Sequence, residues 1–81
     1  MKIHWDGQSK NIIGSNIKKL RLESKMTQKD LAEKLQLCGG NFSALTILRI
    51  EQGKRFVSDF EILALSEFFN VSTDSLFDRE K

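Results

Sequence analysis

An all-α fold of five short helices is what this sequence predicts, and three observations predict it. Apolar residues recur at helical spacing in several separate segments. No segment alternates apolar and polar residues over the positions a half-buried strand needs. Thr27 with Asp30, and Ser58 with Glu61, are hydroxyl–acid pairs three residues apart, the signature of a helix start. The 81 residues make one small domain. A domain this size buries a limited share of its surface, so its core must be efficient or supplemented by dimerisation.

Residues 1–11 read as a flexible, polar N-terminal arm with Trp5 its one large apolar group, 12–78 as the folded domain, and 79–81 as a short tail. The first helix spans about Ile13 to Ser24. Ile13, Ile17 and Leu20 form its apolar stripe, and Lys18, Lys19, Arg21 and Lys25 take the other faces. The second opens at Thr27, whose hydroxyl can accept the Asp30 amide, and turns Leu31, Ala32 and Leu35 inward. Cys38-Gly39-Gly40-Asn41 breaks it, with Cys38 read as a small buried side chain. Ser43 caps a third helix from Ala44 to about Gln52, with Ile47 and Ile50 inward and Gly53 as its C-terminal stop. Lys54-Arg55-Phe56-Val57 is a basic connector. Ser58-Asp59-Phe60-Glu61 is a full capping box, and Phe60, Leu63, Ala64 and Phe68 are read as the inner face of the fourth helix. Asn70 suits a left-handed C-cap, and Ser72 or Thr73 starts a last turn carrying Leu76 and Phe77.

Net charge is only +2, but its distribution is uneven. Residues 2–29 carry seven Lys/Arg against two acids, whereas 58–81 carry two against six. Such a dipolar domain can turn a basic side to phosphates and hold its acidic end away. The start has no apolar h-region and no run reaches the ~18 residues of a membrane span. With one cysteine, a reducing cytoplasm is the expected location. His4 is the sole histidine, and there is no phosphate-cradling glycine loop, no metal-ligand cluster and no nucleophile beside a base. No enzyme activity, metal or cofactor is expected.

Two short helices, Gln28–Leu37 and Ala44–Gln52, joined by a glycine-bearing turn, form the helix-turn-helix pattern, in which the second helix enters the major groove. The small Ala32 lets the pair approach closely. Thr27-Gln28, Leu31-Ala32 and Leu35, then Thr46-Ile47 and Arg49-Ile50-Glu51-Gln52-Gly53-Lys54-Arg55, resemble the Cro/lambda-repressor type of helix-turn-helix domain. Leu63-Ala64-Leu65-Ser66, Phe68, Asn70-Val71-Ser72, Asp74 and Leu76 extend the likeness, which covers about Ile13 to Phe77. The resemblance implies a compact five-helix lambda-repressor-like fold and a transcriptional regulator, usually a repressor, bound as a dimer to a palindromic double-stranded DNA operator. It assigns Ala44, Leu45, Leu48 and Arg49 to the bases. Thr27, Gln28, Ser43, Lys54 and Arg55 fall at its phosphate positions, and Arg21 and Glu51 at its structural ion pair. The homodimer would form through the C-terminal helices, with Phe60, Phe68, Phe69 and Phe77 as core or interface candidates.

The departures matter as much. Ala44, Leu45 and Leu48 are apolar, so they can read only a thymine methyl or the shape of the groove, leaving Arg49 as the strong direct reader. The turn is longer than in the best-known members, and Gly39-Gly40 can let the third helix shift. Lys25 stands where the family often has glycine. The apolar third helix and weak net charge also motivate a second reading, a protein-interaction or antitoxin-like module on the same fold.

Overall fold

The computed structural model describes residues 9–78, so His4, Trp5 and the 79–81 tail lie outside the described residues. Five helices follow in order: α1 (Gly14–Glu23), α2 (Gln28–Leu37), α3 (Ala44–Glu51), α4 (Asp59–Phe69) and α5 (Thr73–Leu76). No strand occurs among the described residues. The described chain is the all-α, five-helix domain that its helical spacing and capping motifs predict.

Each helix start has a side-chain cause. Thr27 and Asp30 form the reciprocal box of α2, the Asp30 amide donating to Thr27 Oγ1 and the Thr27 amide to Asp30 Oδ2, both at 3.0 Å. Ser58 and Glu61 do the same for α4, and Ser43 and Ser72 cap α3 and α5. α1 differs. Its N-cap position, Ile13, has no capping side chain, and the Gly14 amide donates instead to Asn11 Oδ1 at 2.8 Å.

The helix ends share one device. α1 to α4 each finish on a residue with positive φ: Lys25 (58°), Gly39 (89°), Gly53 (72°) and Asn70 (55°). At each, two backbone N–H groups turn back onto the final carbonyls, as Met26 does to Arg21 at 3.1 Å and Lys25 to Leu22 at 3.0 Å. Glycine adopts this conformation without cost, whereas Lys25 must hold a Cβ there.

α2 packs against α3, α1 against α3, and α4 against α2 and α5. The centre is filled by Ile13, Ile17, Leu31, Leu35, Ile47, Ile50, Leu65 and Leu76, with Ala32 buried beside them. Phe42, in the turn just before Ser43, is buried at 2% exposure. Its carbonyl accepts from Gln36 Nε2 at 2.7 Å, and Gly40 N donates to Leu35 O at 2.9 Å. The long turn is therefore fastened to the core by its own aromatic residue.

Two expectations are corrected. On α4 Ala64 and Phe68 pack partly against the core as expected, together with Ile62 and Phe69, but the fully buried residues are Leu65 and Ser66, and Phe60 is 82% and Leu63 50% exposed. The α4 segment is apolar nearly all round, so periodicity could not choose a face. The helix turned its small Ser66 inward, its hydroxyl donating to Leu63 O at 2.8 Å. Cys38 is exposed, because the C-cap of α2 projects past the core that Leu35 and Phe42 fill. Among the described residues, no helix is long and apolar enough to cross a membrane.

Candidate nucleic-acid interface

α3 is a helix with two unlike faces. Ile47 and Ile50 are fully buried. Leu45 and Arg49 are exposed and Leu48 is half-buried, following one another at i, i+3 and i+4, with Ala44 half-buried beside them. Gln52, at i+7 from Leu45, is exposed on the same stripe. Sequence reasoning passed over Gln52, although the spacing from Leu45 and Arg49 was enough to find it. Ser43 opens the helix with its hydroxyl accepting the Thr46 amide at 3.1 Å and contacting Thr46 Oγ1 at 2.9 Å.

The far end of α3 is held by buried polar bonds. Arg21 grips Glu51 side-on, Nε to Oε2 at 2.7 Å and Nη2 to Oε1 at 3.0 Å, with the two side chains 9% and 3% exposed. Arg21 Nη1 also donates to the Met26 carbonyl at 2.9 Å. The hydrogen bond to Glu51 holds the Arg21 guanidinium above its already high ordinary pKa, against the opposing effect of burial. Gln28 Nε2 donates to the same Glu51 Oε1 at 3.1 Å. A carboxylate can only accept, so it turns the amide's N–H side inward and leaves its second N–H uncommitted by that bond. The start of α2 thus meets the end of α3 through one carboxylate.

Asn11, which the sequence reading placed in the arm, completes this end. Its Nδ2 donates to Ile50 O at 3.0 Å and Arg55 O at 2.9 Å while its Oδ1 caps α1. Lys10 N donates to Gly53 O at 2.7 Å. α1 and α3 approach so closely that a Cβ on Gly14 would fall on the Ile50 carbonyl oxygen. An asparagine three residues before a helical glycine was the available signal for this clamp.

The remaining phosphate-contact candidates differ in state. Thr27 is exposed at the start of α2, whose first amides have no intrahelical acceptor, a setting that favours anions. The Asp30 carboxyl in that first turn is held below its ordinary range, chiefly by the Thr27 amide and then by its hydroxyl. Lys54 is exposed, its backbone amide closing α3 onto Arg49 O at 2.9 Å. Arg55 is paired with Glu61 through Nη2 and Oε2 at 2.7 Å. That pairing raises the Arg55 pKa and depresses that of Glu61, the hydrogen bond between them being the largest cause in both. Among the described residues, no group of three or more His, Cys, Asp or Glu side chains converges on a metal position.

The structure is similar to the crystal structure of the DNA-binding domain of BldD, with a TM-score of 0.73 and 21% identity, covering 93% of this chain and 100% of that one. At that identity the likeness is one of fold. No curated protein matches the chain. The helix-turn-helix family model matches residues 17–76, which runs from the middle of α1 to the end of α5. With α2 and α3 buried against each other and the outer side of α3 left open, the chain belongs to the Cro/C1-type helix-turn-helix family.

Proposed function

We propose that this domain is a sequence-specific DNA-binding transcriptional regulator, acting as a repressor, that inserts α3 into the major groove of double-stranded DNA. One observation carries the reading: Leu45 and Arg49 stand outward on a helix whose other side is locked into the core. An exposed arginine on such a helix suits the two acceptors of guanine, and the leucines suit thymine methyls. Thr27, Gln28 and Ser43 at two helix starts, with Lys54 and Arg55 after α3, supply the phosphate contacts that set register. Family membership and the BldD domain's description support DNA as the ligand. The operator is a palindrome bound by a homodimer, and Phe60 and Leu63 on the outer side of α4 are the surface offered to the second copy. The protein works in the cytoplasm, where the operator is.

Random-oligonucleotide selection at two salt concentrations tests this. A recurring motif with inverted symmetry, bound more weakly as salt rises, is expected. Return of no motif contradicts it. The exposed apolar residues of α3 favour one alternative, a protein-interaction module, which would capture a protein partner with little salt dependence and no DNA.

A further inference from the structure

Arg55 has part of its guanidinium already assigned. Nη1 donates to the Phe56 carbonyl and to Glu61 Oε1, both at 2.9 Å, and Nη2 donates to Glu61 Oε2 at 2.7 Å. A guanidinium carries five N–H groups in one plane. Those three bonds leave the Nε–H and the second N–H of Nη2, which lie side by side along one edge. No partly or fully buried side chain among the described residues has a sealed nitrogen or oxygen without a partner, and the Arg55 side chain is 33% exposed. The Nε end of that edge is therefore open to solvent, on a side chain that is itself one-third exposed. Two parallel N–H groups on one edge match two oxygens of a phosphate.

Glu61 is itself fixed. It is the third residue of α4, its Oε1 accepts the Ser58 amide at 2.9 Å, and its side chain is 21% exposed. We infer that Glu61, although acidic, is a positioning residue for DNA-backbone binding: it locks Arg55 so that the Nε/Nη2 edge is presented to a phosphate. This rests on the DNA-binding reading above. Fixing a long side chain beforehand removes the rotamer freedom it would otherwise lose on contact. The opposing effect is repulsion between Glu61 and the phosphate, which lies across the guanidinium and is screened by salt. The two effects have opposite signs, so the balance is measurable.

The experiment uses the full chain and a mixed-sequence duplex about 20 bp long, two helical turns, with affinity read by fluorescence anisotropy. Glu61→Gln keeps a residue competent for the capping box but cannot hold both Nη groups as an ion pair. It is expected to weaken binding about threefold to tenfold, and to have no weakening effect in an Arg55→Ala background. Equal or tighter binding by Glu61→Gln, or the same loss without Arg55, overturns the inference while leaving DNA binding intact. Arg55→Lys leaves Glu61 and its cap in place but offers no planar edge. It too should bind more weakly, and wild-type affinity would overturn the inference. If the unaltered chain binds no duplex, the DNA-binding reading fails and this one with it.

Discussion

Lys25 is the residue at which sequence and backbone disagree most. It holds φ 58° at the end of α1, the position that Gly39 and Gly53 fill on α2 and α3. Removing its Cβ relieves a left-handed conformation, so Lys25→Gly is expected to raise stability by about 0.5–1 kcal/mol, seen as a melting midpoint about 3–6 °C higher. An unchanged or lower midpoint would count against that strain. The site was visible in the sequence as a lysine in a glycine's place. Glu61 carries a pH prediction. Its carboxyl lies below the ordinary value of 4.5 because of Arg55. A depressed folded pKa gives stability that is present above the unfolded value and lost as pH falls through the folded one. The melting midpoint should therefore hold from neutral pH to about 5 and fall below about 4.5, less steeply in Glu61→Gln. Parallel acid profiles for the two proteins would contradict it.

At the scale of elements, α3 is held at both ends by groups outside α3 itself. Phe42 and Gln36 fasten the turn before it, while Asn11, Arg21 and Gln28 fasten its end. Phe42→Ala should cost about 3–5 kcal/mol of unfolding free energy, and a denaturant midpoint near that of the wild type would show that the turn does not depend on this ring. Helices with strong boundary chemistry were legible in advance: the two capping boxes and Gly53 mark residues that local hydrogen bonding alone decides. The burial of Phe42 was not legible, since a loop has no periodicity to read. The α4 face was misread at Phe60 and Leu63 for a related reason. With apolar residues on all its sides, only the packing of α2 and α5 against it selects Leu65 over Phe60.

The whole molecule keeps its core compact and leaves apolar surface outside it on α3 and α4. Phe60, at 82% exposure, contributes little to its own fold. Phe60→Glu is therefore expected to leave the melting midpoint within about 3 °C of wild type while shifting the sedimentation of the free protein from dimer to monomer. A dimer that survives the substitution would move the second copy elsewhere. For the candidate interface the sequence offers residue identities but not their states. The sequence named Gln28, Arg55 and Glu51, whereas only the packed structure shows one carboxylate shared by Gln28 and Arg21, and Arg55 paired before any ligand arrives.

The central claim is that the outer side of α3 meets base edges. The most direct measurement compares wild type and Arg49→Ala on the selected duplex and on a scrambled one of equal length. Loss of about 1–3 kcal/mol on the selected duplex with little change on the scrambled one is the expected result. Equal affinity of the two proteins for the selected duplex would contradict it.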